Sequence, residues 1–294
     1  MMFWMVFHLI KKAVIPAAGL GTRLLPVTKE MPKEMLPIFA KSRDGRMCLK
    51  PLLQAVFEQL YEVGVREFYF VVGRGKRAIE DHFTPDSGFL EALKEMRKSE
   101  AISNLQAFYE KVEDSTIVFV NQPKPAGFGD AVLKAKPLIK EAFLVFAGDT
   151  YIISPRNDYL SRLMAAYRDM KAQAAFVLKE VENARRFGVI EGRSLDGGVF
   201  EVRRAVEKPE KPPTNLAIMP VYVFDPAIFE ALETIGPGKG GELQLTDGIQ
   251  KLIEWGKRVV AIKLKPEDAW LDVGTSEAFW GALKLSYQQL QEET

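Results

Sequence analysis

Four short runs rich in Val, Ile and Phe, at residues 13–15, 68–72, 117–120 and 143–146, recur through the first half of the chain with helical or mixed sequence between them. The alternation predicts an α/β protein with a mostly parallel central sheet. Within residues 49–63, Leu53, Val56, Phe57, Leu60 and Val63 recur at spacings of three and four, and Gly64 follows. That periodicity predicts an amphipathic crossover helix stopped by the glycine. Residues 89–97 and 154–170 read as further helices, the second opening on Ser154 and Pro155 as cap and first-turn residues. After residue 172 the pattern turns to shorter strands with more turn residues, among them Gly197-Gly198 and the glycines from Gly236 to Gly241. A second lobe built onto the first is expected there. Residues 276–293 predict a closing helix, on the surface or docked.

Composition narrows the function classes. The 294 residues suffice for one large domain or two ordinary ones, and 47% hydrophobic with 27% charged content excludes disordered, collagen-like and disulfide-scaffold chains. Forty basic side chains against 39 acidic leave a net charge of +1, so nucleic acid is not expected as a partner and local clusters must carry any phosphate chemistry. Cys48 is the single cysteine and stands with only His8 and His82, which excludes an intramolecular disulfide and a zinc finger. A metal would have to sit on carboxylates. Residues 1–10 are mostly apolar, but their first charges, Lys11 and Lys12, follow the stretch where a secretion signal would have them first, so the segment reads as a lead-in to a strand. No other apolar run reaches the about 18 residues that span a bilayer, so no membrane partner is expected and the cytoplasm is the expected compartment.

After the first run comes Pro16-Ala17-Ala18-Gly19-Leu20-Gly21-Thr22-Arg23, where small residues let backbone N–H groups come close to an anion or a ring. The dinucleotide fingerprint would need a third glycine where Leu24 stands, and the P-loop ending is absent. Pro26, Pro32 and Pro37 forbid a continuous helix from Gly19 onward, so a long irregular loop is expected, carrying Arg23, Lys29 and Lys33 at the C-terminal end of the first strand. Open α/β sheets bind their ligands at that edge. A run of solvated charges is the competing structural reading.

The segments Ala17 to Arg23, Leu25-Pro26-Val27-Thr28-Lys29 and Pro32-Lys33-Glu34-Met35-Leu36-Pro37 together resemble the signature of the sugar-1-phosphate nucleotidylyltransferases, most closely the bacterial and archaeal branch acting on UTP and glucose 1-phosphate. The resemblance continues in order through residues 76–83, 122–131, Gly148-Asp149, 187–190, 206–209, 241–247 and 270–274. It implies a Rossmann-like sheet flanked by helices with a smaller, sugar-binding, β-rich lobe. One nucleotidyltransferase domain would then cover residues 1–275, its nucleotide-binding part 11–171 and its sugar-binding part 172–275, followed by a C-terminal helix over 276–294.

The chemistry so implied is attack by a sugar-1-phosphate oxygen on the α-phosphorus of a nucleoside triphosphate, with pyrophosphate leaving in line. Such a reaction needs two anions aligned and their repulsion neutralised. By resemblance Arg23 holds the β- and γ-phosphates and Lys33 the α-phosphate. Mg²⁺ is the expected cofactor, since a hard cation takes phosphate oxygens and one or two carboxylates, and Asp149 and Asp272 are its candidates. Asp149 follows the run at 143–146 and so shares the sheet edge with the glycine loop, whereas only the resemblance brings Asp272 near it. The nucleotide would meet Ala17, Ala18, Gly19, Gly21, Glu34, Gln122 and Gly127, with the Gln122 amide reading the base edge. Relatives often have histidine where this chain has Asp130. The sugar phosphate would meet Gly188, Glu207, Lys208, Asn215 and Glu242, and Met219-Pro220 stands where relatives commonly have a Gly-Arg or other Gly-x pair.

Three alternatives remain at the level of sequence. A thymidylyltransferase using dTTP shares the motifs, and Trp270-Leu271-Asp272-Val273-Gly274 leans toward it, while Ala17-Ala18-Gly19 and Lys33-Glu34-Met35 lean toward UTP. A regulatory subunit of the same fold would not need both carboxylates. A dehydrogenase would need the missing glycine. His82 and Cys48 read as structural, because this reaction has no proton to remove and Cys48 has no neighbouring histidine. Phe279, Trp280, Leu283, Leu285 and Tyr287 give the last helix apolar surface for a homo-oligomer.

Overall fold

The computed structural model describes residues 10–292, so the lead-in expected over residues 1–10 falls outside the described residues except for the buried Ile10. A nine-stranded mixed sheet forms the centre. Its strands are β1 (Lys12–Pro16), β4 (Glu67–Val72), β5 (Thr116–Asn121), β6 (Phe143–Phe146), β8 (Ala174–Glu180), β9 (Gly188–Ser194), β10 (Val199–Glu207), β11 (Leu216–Phe224) and β12 (Val259–Lys263), in the order β5-β4-β1-β6-β11-β8-β12-β10-β9. The four strands read from the Val, Ile and Phe runs are parallel neighbours, with Ala13 opposite Phe68 on one side and Leu144 on the other. From β6 onward most pairings are antiparallel, β12 with β8 excepted. The β-rich half after residue 172 therefore continues the first sheet edge to edge.

Side chains along a strand point alternately to the two faces, and each face is covered. On one side Ala13, Ile15, Phe68 and Phe70 meet α1 (Leu52–Glu62), α2 (Arg77–His82), α4 (Ser99–Glu113) and α6 (Asp158–Asp169). On the other, Val14, Val71 and Val145 meet α5 (Phe128–Leu133), α7 (Ala227–Thr234) and α8 (Leu245–Glu254). Leu53, Val56, Phe57 and Leu60 of α1 are fully buried, each worth about 1.5–3 kcal/mol of transfer free energy, so this helix is held mainly by its packed stripe.

Two boundaries differ from expectation. Residues 49–51 belong to the hairpin β2 (Pro37–Lys41) and β3 (Met47–Pro51), and α1 starts after Pro51, which carries extended backbone. The helix expected from Ser154 begins at Asp158, because Arg156 and Asn157 take left-handed backbone, φ 53° and 55°, and Ser154 Oγ caps nothing. Asn157 is fixed instead by Gln59 at 2.6 Å and Glu62 at 2.9 Å.

Two smaller elements complete the frame. A ribbon of β7 (Thr150–Ile153) and β13 (Ala269–Asp272) lies beyond β6, and α9 (Ser276–Glu292) packs on the hairpin through a core of Leu24, Leu36, Ile38, Leu271 and Ala282. The pair α3 (Ser87–Glu95) and α4 precedes β5. The chain passes from β1 outward to β4 and β5, then returns to lay β6 on the other side of β1. That reversal opens a crevice at the carboxyl end of β1, and the loops after β1, β4, β5 and β6 all empty into it.

Candidate active site

The loop after β1 is ordered by its own turns. Ala17 N–H donates to Val71 O at 2.8 Å, carrying the sheet one residue further. Gly21 takes φ 66°, and a Cβ there would come within 3.1 Å of Thr28, whose hydroxyl donates to Gly21 O at 2.8 Å. The expected irregular stretch is three single helical turns, Thr22–Leu24, Val27–Lys29 and Lys33–Met35, pinned by buried Leu24, Thr28 and Leu36. Lys29 points away and pairs at 3.5 Å with Glu30, both largely exposed, so this cation is surface charge. Lys33 turns inward beneath Gly19 and pairs with Asp149. Burial works against the Lys33 ammonium, yet Asp149 and Glu34 hold its pKa above the ordinary value; burial likewise works against the Asp149 carboxylate, and Lys33 holds it below.

Glu34 also faces inward. Its side chain is 1% exposed and accepts from Lys76 Nζ at 2.8 Å, with burial pushing its pKa up against the pull of Lys76 and Lys33. Lys76 reaches this point from the loop after β4, so the ion pair ties two crevice loops together. From β5, Gln122 continues the edge, its backbone N–H donating to Val72 O at 2.8 Å and its side-chain Nε2 to Gly127 O at 3.2 Å and Asp130 Oδ2 at 2.7 Å. Gly127 takes φ 112°, and a Cβ there would lie 2.6 Å from Leu243 O, a close approach that only glycine permits.

The carboxylates Asp149 and Asp272 come from different elements. Asp149 follows β6 through Ala147 and Gly148, where Gly148 N–H donates to Pro16 O at 3.1 Å. Asp272 ends β13 directly opposite Thr150, the residue after Asp149. Burial and the Asp149 carboxylate push the Asp272 pKa up, against the Gly274 N–H, which donates to Oδ1 at 2.9 Å, and the cations Arg23 and Lys33. Arg23 is exposed and, among the described residues, makes no side-chain hydrogen bond or ion pair, with its guanidinium over Gly274. Two carboxylates crowded together beside open space and unspent positive charge suit a divalent cation that completes its shell with phosphate oxygens, and no larger cluster of metal-ligating residues occurs among the described residues.

Arg23, Asp149 and Asp272 open onto a cavity of about 650 Å³ that also takes in Gly188, Glu207, Lys208 and Glu242. Asn215 is exposed and does not line it. Glu207, opposite Gly188 in the sheet, accepts from Thr246 Oγ1 at 2.6 Å and pairs with Lys208 at 2.9 Å. Lys208 takes φ 41°, a left-handed backbone costing a non-glycine residue about 1–2 kcal/mol, and is held there by its N–H to Phe187 O at 3.0 Å. Pro220 and Tyr222 form an apolar wall at a bulge in β11. A larger cavity of about 830 Å³, between the β2–β3 hairpin, α1 and α3–α4, contains none of these residues.

Three site residues had no role assigned from sequence: Lys76, Asp130 and Thr246. The glycines at 73 and 75 after a strand were the available signal for Lys76, because they mark a crevice loop. His82 lies elsewhere, stacked on Phe108 at 4.9 Å with Nε2 3.0 Å from Gln54 Oε1.

A model of the nucleotidyl transferase family matches residues 12–289. The chain is similar to the UTP–glucose-1-phosphate uridylyltransferase of Pseudomonas aeruginosa, 36% identical over 287 residues covering 96% of this chain and 98% of that one. It is 40% identical to the enzyme of the same name from Bacillus subtilis over 249 residues, 83% of this chain and 81% of the other. The structure of a UDP-glucose pyrophosphorylase complexed with UDP-glucose superposes with a TM-score of 0.80 at 35% identity, covering 95% of this chain and 99% of that one.

Proposed function

The chain belongs to the nucleotidyl transferase family, in its UTP–glucose-1-phosphate uridylyltransferase branch, and we propose that the crevice at the end of β1 takes UTP while the adjoining cavity takes glucose 1-phosphate, giving UDP-glucose and pyrophosphate. On this reading residues 11–171 bind the nucleotide, residues 172–275 bind the sugar, and the helix that follows docks on the first part. The observation carrying the proposal is the convergence of Arg23, Asp149 and Asp272, from three separate segments, on a cavity also lined by Glu207 and Lys208, with Lys33 paired to Asp149.

The reaction forms a bond between a sugar-phosphate oxygen and the α-phosphorus and breaks the bond to the β-phosphate oxygen. The attacking oxygen is already ionised near neutral pH, so no side chain has to remove a proton, and neither His82 nor Cys48 is needed. Lys33 serves the α-phosphate: its ammonium is desolvated and held beneath the glycine turn, where a fixed charge stabilises the transition state more than a mobile one. Arg23, free of side-chain partners among the described residues, closes over the β- and γ-phosphates with a planar fork suited to phosphate oxygens. Lys208 meets the sugar phosphate, and Glu207 accepts from sugar hydroxyls while Thr246 keeps it aimed. Glu34 acts through Lys76 by ordering the loop. A divalent cation, Mg²⁺ by the hardness of these donors, would be held by Asp149 and Asp272 and would neutralise the triphosphate and the departing pyrophosphate.

UTP is favoured over dTTP because relatives at 36–41% identity over most of the chain are uridylyltransferases. UTP and glucose 1-phosphate are cytoplasmic metabolites, which supports work in the cytoplasm; no described helix is long and apolar enough to cross a membrane. The test is pyrophosphate release from purified protein with glucose 1-phosphate and Mg²⁺, comparing UTP with dTTP and omitting the metal in a control. Strong preference for UTP is expected, and no release with either nucleotide would overturn the proposal.

A further inference from the structure

Gln122 is fixed before any base arrives. The residue is 4% exposed, and both hydrogens of its side-chain amide are already used within the chain, one on Gly127 O and one on Asp130 Oδ2. Which end is nitrogen follows from the partners, because a carbonyl and a carboxylate can only accept. The carboxylate is itself steadied, with Oδ1 3.1 Å from Lys134 Nζ one turn along α5 and the side chain 15% exposed. Among the described residues nothing donates to Gln122 Oε1, and it is not one of the sealed, unpartnered atoms of the interior. It is the one polar atom this side chain still has to offer.

We propose that Asp130 is a positioning residue that locks Gln122 with only its carbonyl oxygen presented, so that the base subsite admits a pyrimidine carrying N3–H and rejects one whose N3 is a bare acceptor. The inference rests on the pyrimidine-triphosphate reading above. Uracil and thymine both carry that hydrogen, whereas cytosine presents a lone pair. Cytosine would set two acceptors face to face and leave both unpaired in a desolvated site, which costs more than a missing contact. Asp130 therefore governs uracil against cytosine and is silent on uracil against thymine, which differ at C5. Without its carboxylate, one amide hydrogen is released to turn toward the base, and the rejection of cytosine relaxes.

The test measures kcat and KM for UTP, CTP and dTTP, with glucose 1-phosphate saturating, in the unaltered chain, Asp130→Ala and Asp130→Asn. Alanine suits a helix better than aspartate does, so the fold is not endangered, and thermal denaturation checks this. Ratios between nucleotides on one preparation do not depend on its active fraction. In Asp130→Ala the UTP:CTP ratio of kcat/KM is expected to fall roughly tenfold, through KM for UTP with little change in kcat, as loss of a remote hydrogen-bond constraint implies. The UTP:dTTP ratio stays, and Asp130→Asn, which keeps an acceptor for the amide, restores most of the discrimination. A UTP:CTP ratio unchanged in Asp130→Ala, or a UTP:dTTP ratio falling equally, overturns the assignment of Asp130. An unaltered chain that releases no pyrophosphate from UTP overturns the transfer reading itself, and this one with it.

Discussion

Asp272 stands across the β7–β13 ribbon from Thr150, which sets its carboxylate beside Asp149, while Lys33 closes on Asp149 from the glycine loop. A cation is thus already balanced against one acid of a pair. Asp149→Asn keeps the size and an acceptor for Lys33 but removes charge where the phosphates would gather. Turnover is expected to fall at least about a hundredfold, the scale of losing one preorganised electrostatic group. Pyrophosphate release reads the loss and circular dichroism checks the fold; near-normal release would remove Asp149 from the metal assignment.

Glu34 and Lys76 form a buried ion pair, with side chains 1% and 7% exposed. Removing one partner strands a charge in the interior, so Glu34→Gln or Lys76→Met alone is expected to cost roughly 3–5 kcal/mol. The double substitution should cost much less than the sum, since it strands nothing. Urea denaturation of the four proteins of the cycle measures this. Additive effects would mean that the pair does not hold the loops together.

The four parallel strands were legible because β-branched and aromatic runs betray a strand, buried in β1, β4 and β6 and half-buried in the edge strand β5, and the helix stripe of α1 was legible from its period. The hairpin β2–β3 was not separated from α1, since Leu49 fits the helical spacing and only the extended Pro51 parts them. Arg23, Lys33 and Asp149 could be placed on one sheet edge from sequence, because each follows a strand. The meeting of Asp149 with Asp272 could not: it depends on a ribbon between segments far apart in the chain. Lys76 and Asp130 were opaque for another reason. A lysine among charged neighbours looks solvated, and an aspartate in the first helical turn looks like a capping charge, until tertiary packing supplies Glu34 and Gln122 as partners.

His82 gives the fold an acid sensitivity outside the crevice. Burial lowers its pKa from 6.5 to about 4, against the attraction of Glu58. Between those values the unfolded chain takes up a proton that the folded chain refuses, so the contribution is full above pH 6.5 and is lost as pH falls through 4. The difference amounts to about 3 kcal/mol. His82→Gln, which can still meet Gln54, is expected to lose that much less stability than the unaltered chain on acidification from neutral pH to 4. Parallel pH profiles of urea stability for the two proteins would contradict the assignment.

Glu207 spends both oxygens before a sugar binds, one on Thr246 and one on Lys208. Glu207→Gln replaces one acceptor by a donor, which must then face the Lys208 ammonium or the Thr246 hydroxyl. In the first arrangement Lys208 loses its acceptor, and in the second it keeps a neutral carbonyl in place of a carboxylate, so the charge-assisted bond is lost either way. KM for glucose 1-phosphate is expected to rise about tenfold or more, the scale of one charge-assisted hydrogen bond, while KM for UTP stays within a factor of about two. Gly188→Ala should produce the same split from the opposite strand, because its Cβ would lie 2.7 Å from Thr246 Oγ1 and 3.1 Å from Glu207 Oε2. Initial-rate kinetics with each substrate varied in turn distinguish this from a general loss of fold, which would lower kcat and leave both KM values in place. Equal rises in both KM values would move Glu207 from the sugar side of the site to the nucleotide side.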